Sequence, residues 1–479
     1  MILNILLTYC GTLVRTIASI LINIYLSRKL SPGDFGIAAI SLSIVSFGSL
    51  IADSGFGARL IQKKDVDEVD VVLAFRRQSI MVLIIFLIII LISAVPFLRS
   101  FNALFTYMPY FAVSLLFSGM SQVSTSILKR KMRFKNIQVA QLTAYFLGFA
   151  LPSITIAYLG FGIWGLIFGQ IFQSVIYFTL AYNFVRHPIY LKSRTTDSRE
   201  KDENFRFSTD VLKTNISNWG ISNLDTLIIG YVTGNIFTGL YNRSNQLSVQ
   251  PVNTLIGAFQ NVLFPYYSRT DSDKKSQVKK VFFSLYFTLA LLAPVFLSFS
   301  TYSRLIVSFI YGDQWTGASE IFSLMCLAMP IYGMMSMIGP FLWARGSAIS
   351  EFYVSLLILI LTVSLYALFL PKNFSYAGYI FLFLHFTRLC GMIFMFFKIS
   401  GANLRDFAKL FLVFIVILTI SSYIGKYDVV FFGYNFYSLF TSILFGLIAS
   451  FLIILYMYGQ YVMDRIKSVS RYVIAGKLK

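Results

Sequence analysis

Five ionisable side chains lie inside long apolar stretches of this sequence: Arg15, Asp53, Asp225, Arg243 and Arg388. An Arg guanidinium presents five N–H donors in a fixed fork that matches phosphate oxygens, whereas a carboxylate can bind a proton or a metal cation. An ionised side chain at the centre of a bilayer costs about 2.5–3.5 kcal/mol on insertion scales, so such residues normally face protein or a wet cavity. These residues therefore predict a polar interior.

The sign of the buried charge indicates what this interior attracts. Three arginines inside the apolar runs, together with Arg59 and Arg345 near the ends of such runs, outnumber Asp53 and Asp225. We therefore expect an open cavity with a net positive charge that binds anions. In four of these runs, at 3–26, 36–60, 209–233 and 237–265, polar residues recur every three or four positions, which places them on one face of each helix. The alternative is that they only join helices through interhelical hydrogen bonds, worth roughly 0.6 kcal/mol each.

The elements that must position these residues are membrane helices. The chain has 479 residues, of which 57% are hydrophobic and only 13% charged, and its mean hydropathy is +0.74. A helix needs roughly 20 apolar residues to cross about 30 Å of hydrocarbon, and its backbone polar groups must be satisfied within the segment. The sequence therefore predicts an all-α polytopic membrane protein with about fourteen transmembrane helices, and it excludes a soluble protein.

The basic residues predict the orientation of these helices. Of the 40 Lys and Arg, 31 fall in the gaps after even-numbered helices or in the C-terminal tail, and only six fall in the odd-numbered gaps. By the positive-inside rule, both termini are then cytoplasmic. A nucleic-acid partner is not expected, because the charge is spread over seven loop and tail segments and forms no single basic face.

The sequence offers little support for catalysis or metal binding. It has three Cys and two His, too few in any spacing for a zinc or di-iron site, and the odd number of Cys indicates no disulfide framework. No phosphate-cradling Gly-rich loop, Walker motif or Ser-His-Asp arrangement is present. We therefore predict a protein that is not an enzyme and holds no resident cofactor or metal.

An internal repeat predicts the domain organisation. A shift of 203 positions lays Gly36 on Gly239, Leu60 on Leu263 and Arg76 on Lys279. Six helices separate the two copies, and an even number preserves orientation, so these are parallel repeats related by an axis along the membrane normal. We predict four parts: a six-helix lobe at 1–185, a cytoplasmic inter-lobe loop at 186–208, a second six-helix lobe at 209–398, and two additional helices with a basic cytoplasmic tail at 399–479.

Several short motifs, in this order along the chain, resemble those of Wzx-type polysaccharide flippases of the multidrug/oligosaccharidyl-lipid/polysaccharide exporter superfamily. The resemblance covers roughly residues 20–345, and the last hundred residues match only as hydrophobic helices. The motifs are LSPGDFG at 30–36, DSGFG at 53–57, KMRF at 131–134, GFGIW at 160–164, NLDTLIIG at 223–230, GLYNR at 239–243, VLFP at 262–265 and YGDQW at 311–315.

The resemblance implies two six-helix bundles plus two extra helices. It also implies transport of an undecaprenyl-pyrophosphate-linked oligosaccharide, for O-antigen or exopolysaccharide synthesis, from the cytoplasmic to the periplasmic leaflet of the bacterial inner membrane. Membrane lipids and polysaccharide polymerase machinery are the further partners expected. Asp225 and Arg243 are the clearest residues carried over from the motifs.

On this hypothesis the two lobes rock to give alternating access. The arginines bind the pyrophosphate, amide side chains hydrogen-bond sugar hydroxyls, and Asp53 or Asp225 couples transport to H⁺ or Na⁺. We expect Arg243→Ala to slow transport with expression intact. The predicted pyrophosphate ligands are Arg15, Arg59, Arg243, Arg345 and Arg388. The predicted sugar ligands are Asn218, Asn242, Gln246 and Asn253.

Three other functions stay open at this point. A small-molecule or drug cation antiporter of the same superfamily predicts an acid-rich cavity, which the excess of interior Arg argues against. A membrane-embedded polysaccharide polymerase or ligase usually has a large periplasmic loop, whereas the longest odd-numbered gap here is roughly 302–317. A purely structural scaffold would not need polar faces on four helices.

Overall fold

The computed structural model describes residues 2–53, 57, 60–61, 63, 66–95, 103–189, 201–269, 274–345, 347–401 and 404–474. We number the long helices of these residues in chain order. The first six are α1 (Ile2–Lys29), α2 (Pro32–Asp53), α3 (Glu68–Ala94), α4 (Leu104–Arg130), α5 (Phe134–Tyr158) and α6 (Trp164–Val185). The remainder are α7 (Lys201–Thr233), α8 (Asn235–Arg269), α9 (Lys274–Thr301), α10 (Ser319–Ala344), α11 (Ala348–Phe369), α12 (Tyr376–Ser400), α13 (Leu404–Phe432) and α14 (Phe436–Ile474).

The predicted all-α membrane architecture is confirmed. The described residues contain no strand, and eleven of their segments are long and apolar enough to cross a bilayer. The helices α1, α7 and α8 are not among these eleven. The number of fourteen membrane spans therefore stays a prediction.

Packing divides the chain into two compact units, Met1–Asn242 and Arg243–Lys479. The division falls inside α8, because its first two turns pack within the first unit and its later turns pack within the second. The lobe boundaries predicted at 186–208 and 398/399 were drawn from the internal repeat and not from packing, and they stay a prediction. Helix α7 begins at Lys201, so the last residues of the predicted inter-lobe loop are helical.

Each unit uses the same scheme of helix packing. In the first unit α4 packs against α3 and α6, and α6 packs against α5. In the second unit α10 packs against α9 and α12, and α12 packs against α11, six helices further on in each case. The two schemes differ in the burial of one helix. In the most apolar stretch of α3, 22% is buried, whereas 78% is buried in the corresponding stretch of α9. The cause is that α13 and α14 both pack on α9.

The low burial of α3 agrees with its sequence, because residues 81–90 carry no polar side chain, as expected for a helix that faces lipid. Leu83, Ile84, Leu87, Ile88 and Leu91 are all exposed. On α9, small polar residues lie on the face that α14 covers. One 2.9 Å hydrogen bond joins the hydroxyls of Ser298 and of Ser442 on α14. Ser450 of α14 also donates a 2.9 Å hydrogen bond to the Ala290 carbonyl. Such contacts let membrane helices approach closely without leaving a polar group unsatisfied.

The starts of α2 and α8 cross at very short distance inside the first unit. A Cβ built on Gly36 would lie 1.8 Å from the Asn235 carbonyl oxygen, and one built on Gly239 would lie 1.8 Å from that of Pro32. The 203-residue shift of the repeat relates Gly36 to Gly239, and it relates Pro32 to Asn235, the first residues of the two helices. The crossing therefore requires glycine at both repeat positions.

Ser31 and Asp34 fix the start of α2 at this crossing. The Asp34 carboxylate accepts hydrogen bonds from the Ser31 N–H at 3.0 Å and the Ser31 hydroxyl at 2.8 Å, and the Asp34 N–H donates to Ser31 Oγ at 3.2 Å. This reciprocal arrangement satisfies backbone groups that a helix start leaves unpaired.

The structure departs from a plain helical hairpin pattern in two places. A π-helical turn, Ala144–Ala150, interrupts α5; such turns often occur at functional sites. The predicted gap at 302–317 is not an open loop, because it holds a short helix, Ser303–Tyr311, and a 3₁₀ turn, Asp313–Ala318.

His187 anchors the chain just after α6, outside the membrane-spanning segment. Its Nδ1–H donates to the Pro188 carbonyl at 3.2 Å, so Nε2 accepts the 3.1 Å hydrogen bond of the Ser124 hydroxyl on α4. The ring lies 5.2 Å from the rings of both Phe75 and Tyr182. Burial lowers the pKa of His187, because the charged imidazolium loses its hydration.

This environment predicts an acid-sensitive step in stability. Since the pKa is lower in the folded chain, the unfolded chain binds more protons between that pKa and about 6.5, and stability falls as the pH drops through this window. We expect the melting temperature of the purified protein to fall between about pH 7 and 5.5, and His187→Gln to flatten that fall. Equal slopes in a thermal-shift titration of the two proteins would contradict this role of His187.

Candidate functional site

Arg15 lies on the face of α1 that packs against α5. Its Nη1 donates a 3.4 Å hydrogen bond to Gln141 Oε1. Tyr145, in the π-helical turn, lies near enough to Arg15 and Ser19 to interact with both. On the opposite side of α1 the exposed residues are Leu13, Val14, Ile17 and Leu21. Arg15 therefore faces protein, and its predicted role as a pyrophosphate ligand stays a prediction.

The polar face predicted for α2 packs against α7. The Ser43 hydroxyl donates to Asn223 Oδ1 at 3.2 Å, and the Trp219 indole N–H donates to Ser46 Oγ at 2.9 Å. The Phe47 and Trp219 rings lie 4.5 Å apart. At these positions the polar groups join two helices, which is the alternative that the sequence left open.

Asp225 is held by groups of its own unit. The Tyr241 hydroxyl donates to Asp225 Oδ2 at 2.6 Å, and the Thr226 N–H donates to Oδ1 at 2.6 Å. These bonds tie the end of α7 to the start of α8. Ion coupling by Asp225 stays a prediction.

Arg243 lies inside the second unit, where only 5% of the residue is exposed. Its guanidinium donates hydrogen bonds to Gln246 Oε1 and to the Tyr311 hydroxyl of the short helix. The adjacent Ser244 hydroxyl donates to the Ala318 carbonyl at 3.0 Å. The Ser244 contact fixes α8 to the segment 303–318. Gln246, a predicted sugar ligand, accepts its hydrogen bond from Arg243.

Arg388 lies in the middle of α12, where two polar side chains of the second unit, Glu351 and Tyr332, interact with it and a third, Trp343, binds Glu351. Arg388 Nη2 lies 3.8 Å from Glu351 Oε1 of α11, and the two side chains are 17% and 22% exposed. The Trp343 indole N–H of α10 donates a 2.6 Å hydrogen bond to Glu351 Oε2. Tyr332 interacts electrostatically with Arg388. We call Asn253, Tyr332, Trp343, Glu351, His385 and Arg388 the Arg388 cluster.

The other side of the Arg388 cluster is formed by α8, α10 and α12. The Tyr332 hydroxyl donates to Asn253 Oδ1 at 2.5 Å, which orients this exposed amide. The His385 ring lies 5.5 Å from the Tyr332 ring, and its Nδ1–H donates to the Phe381 carbonyl at 2.9 Å. Two residues predicted from sequence, Asn253 and Arg388, thus lie in one cluster with four that were not among the predicted ligands.

The other predicted site residues do not join this cluster through any contact described for them. Arg345 caps α10 and is exposed, with its guanidinium 5.8 Å from the Phe341 ring centre. Asp53 accepts a 3.1 Å hydrogen bond from the Gly57 N–H at the end of α2. Asn218 is exposed and Asn242 half-buried. Arg59 lies outside the described residues.

The expected excess of interior arginine stays a prediction. The structure adds two acids that were not counted in the sequence, because Glu351 belongs to α11 and Asp428 of α13 is buried, with 8% of the residue exposed. Glu351 was not predicted as a site residue, because it lies three residues after the start of α11 and at the edge of the apolar run 350–371. At a helix end an acid is expected to lie at the membrane interface, and only the structure shows that Glu351 faces Arg388.

A groove of about 720 Å³ runs between α13 and α14. Apart from Asp428 and Thr419, its walls are aliphatic and aromatic; they include Ile420, Tyr423, Tyr427, Phe445, Ile448 and Leu452. Within the described residues no group of three or more His, Cys, Asp or Glu side chains could hold a metal ion.

The sequence matches the model of a known family, described as polysaccharide biosynthesis protein, over residues 25–320. The chain belongs to the polysaccharide biosynthesis protein family. Among curated relatives, it is 24% identical to the succinoglycan biosynthesis transport protein ExoT of Rhizobium meliloti over 69% of this chain and 67% of the relative. It is 20% identical to the lipopolysaccharide biosynthesis protein WzxC of Escherichia coli over 67% and 65%.

Solved structures share the fold of this polysaccharide biosynthesis protein. The lipid II flippase MurJ, in an inward closed conformation, matches 95% of this chain and 100% of its own with a TM-score of 0.76 at 15% identity. An inward-facing multidrug transporter of the MATE family matches 81% and 95% with a TM-score of 0.53 at 13% identity. Because it covers 95% of this chain, the MurJ match extends beyond residue 345, where the sequence motifs end.

Proposed function

We propose that this polysaccharide biosynthesis protein is a flippase. It moves an undecaprenyl-pyrophosphate-linked oligosaccharide from the cytoplasmic to the periplasmic leaflet of the bacterial inner membrane, with both termini in the cytoplasm. The Arg388 cluster is the observation that carries the proposal. A charged guanidinium in the middle of a membrane helix is costly, and such residues usually bind a substrate or an ion. The full-length fold match to a lipid II flippase, and relatives that are named as polysaccharide transport proteins, support it.

The Arg388 cluster supplies the chemistry for an anionic glycan head group. Arg388 binds the pyrophosphate, since guanidinium N–H donors match phosphate oxygens in geometry and charge. The exposed amide of Asn253 and the hydroxyl of Tyr332 hydrogen-bond sugar hydroxyls. Arg15 provides a second cationic position in the first unit.

The lipid part of the substrate requires a different surface. A polyprenyl chain cannot enter a polar interior without losing its apolar surroundings, so it stays in the bilayer while the head group crosses. The groove between α13 and α14 offers an apolar wall of matching character. Alternating access, with rocking of 1–185 against 209–398, then moves the head group, and H⁺ or Na⁺ supplies the direction.

A cation antiporter is the second candidate. The fold shared with a MATE transporter and the acids Asp53, Asp225, Glu351 and Asp428 of the described helices favour it. The local arrangement argues for the flippase, because Glu351 already faces Arg388 and both oxygens of Asp225 accept hydrogen bonds. Neither Glu351 nor Asp225 therefore offers an isolated carboxylate to a cation, whereas one oxygen of Asp428 is buried with no hydrogen-bond partner among the described residues.

Removal of the protein from its native cell tests the proposal. A flippase predicts that lipid-linked repeat units accumulate on the cytoplasmic side, measurable by mass spectrometry of extracted lipids and by their protection from external glycosidase. Accumulated repeat units on the outer face, with only short polymer, would instead identify a polymerase. Unchanged lipid-linked glycan together with altered drug sensitivity would identify an antiporter.

A further inference from the structure

We propose that Asp428, in the wall of the groove between α13 and α14, is a proton-binding site, and that the groove takes up an apolar chain together with this proton. The site lies outside the Arg388 cluster. It rests on the proposed function only in the identity of the chain, which is the polyprenyl part of the substrate.

Asp428 is a carboxyl group without a counter-charge. Only 8% of the residue is exposed, and its Oδ2 atom is buried with no hydrogen-bond partner among the described residues. It forms no ion pair with a described Lys, Arg or His, whereas Glu351 faces Arg388. An ionised carboxylate that has lost its water and has no cation beside it is unstable, and such a group takes up a proton instead.

The hydroxyl of Thr441 on α14 favours the protonated form of Asp428. It lies within hydrogen-bonding reach of the Asp428 carboxyl group and 3.1 Å from the carbonyl oxygens of both Tyr437 and Ser438. A hydroxyl has one proton to donate, so these acceptors compete for it. A protonated Asp428 ends the competition, because it donates to Thr441 Oγ1 while Thr441 donates to a main-chain carbonyl.

The titratable neighbours of Asp428 from other elements are tyrosines. Tyr302, which follows α9, interacts electrostatically with Asp428, and its ring stacks on the Tyr434 ring at 5.3 Å. The basic residues next to these groups in sequence, Lys426 and Arg304, are exposed and form no ion pair with Asp428. An unperturbed tyrosine has a pKa of about 10, so Asp428 is the group of this region that changes charge between about pH 5 and 8.5.

A proton fits this groove better than a metal cation does. A cation such as Mg²⁺ or Ca²⁺ takes about six or more oxygen ligands. Apart from Asp428, the groove residues with side-chain oxygens are Thr419, Tyr423 and Tyr427, and the other walls are aliphatic or aromatic. A proton needs only one oxygen.

Occupation of the groove and protonation of Asp428 favour each other. An apolar chain in this groove of about 720 Å³ excludes water from the carboxyl group, which disfavours its charged form. By linkage, the proton raises the affinity for the chain by the same factor. Asp428 lies one turn before the end of α13, on the periplasmic side in the predicted orientation, so the proton comes from that side.

The test uses undecaprenol, whose hydroxyl head carries no charge, with a photoreactive diazirine on its chain. The purified full-length protein is held in nanodiscs of phosphatidylcholine, and label in the peptides of α13 and α14 is measured by mass spectrometry. We expect wild-type labelling to fall by about fivefold or more between about pH 5 and 8.5. Asp428→Asn, which mimics the neutral acid, should keep the labelling high throughout. Asp313→Asn is the matched control and should follow wild type, since Asp313 is an exposed acid on the same side in the predicted orientation.

Proton uptake gives a second measurement, and wild type alone suffices for it. In weakly buffered solution near the midpoint of that fall, undecaprenol should make the protein take up protons, and Asp428→Asn should take up none. Labelling that does not change with pH, or that follows the Na⁺ concentration at constant pH, would overturn the proton site and leave the proposed function intact. Label that never reaches α13 or α14 would overturn both this inference and the placement of the polyprenyl chain in the groove.

Discussion

Gly36→Ala should lower the melting temperature of the detergent-solubilised protein by many degrees. The new Cβ would lie 1.8 Å from the Asn235 carbonyl oxygen, a backbone atom that cannot rotate away as a side chain can. Overpacking of a core by a methyl group typically costs about 1–3 kcal/mol, and a clash with main chain lies at or above the top of that range. Gly239→Ala should have the same effect through the Pro32 carbonyl.

Gly33→Ala is the matched control for this prediction. Gly33 belongs to the same first turn of α2, but a Cβ there would meet its nearest neighbours, Ile236 and Ser31, at 3.7 Å, an ordinary contact. Alanine also favours a helix over glycine by about 0.5–1 kcal/mol. We expect its melting temperature to be unchanged or raised. Equal melting temperatures for Gly36→Ala and Gly33→Ala would contradict the close approach of α2 and α8 at this crossing.

Arg243→Ala should reduce the amount of folded protein, and its effect on transport should follow from that loss. The guanidinium is buried and bonded to Gln246 and Tyr311, so alanine leaves both groups without their charged partner. Loss of hydrogen bonds to a charged group, with buried partners left behind, costs about 2–4 kcal/mol. Size-exclusion yield and melting temperature measure this directly.

Arg345→Ala is the matched control, because Arg345 is exposed at the end of α10. It should leave the melting temperature within a degree or two of wild type. An Arg243→Ala protein that is as stable as Arg345→Ala yet slow in transport would support the sequence-based expectation that Arg243 binds substrate.

The motifs that revealed the family describe the fold more than the site. Ser31 and Asp34 of the first motif cap α2, Gly36 and Gly239 permit the helix crossing, and Tyr241 holds Asp225. The motifs contain these residues because local turn and packing geometry demands particular residue types, but their structural roles were not predicted from the sequence. Asp225 and Arg243 were predicted as functional because they are charged motif residues inside apolar runs, and both are bonded within their own units.

The Arg388 cluster was only half predictable. Arg388 and Asn253 are polar residues within apolar runs, a signal that a sequence carries openly. Glu351 and Trp343 lie at helix ends, where charged and aromatic residues are expected for interfacial reasons. Only the packing of α10, α11 and α12 brings them to Arg388. In the same way, the burial of α9 depends on α13 and α14, which no repeat or motif specified.

Transport by purified protein in liposomes tests the central claim most directly. The substrate is an undecaprenyl-pyrophosphate-linked glycan labelled with a fluorophore on its sugar, and membrane-impermeant dithionite quenches only the label in the outer leaflet. With wild-type protein we expect the quenched fraction to rise from about half to nearly all of the label, and Arg388→Gln, at wild-type melting temperature, to slow that rise at least about tenfold. Quenching that stops at the protein-free level with wild-type protein would contradict the flippase account.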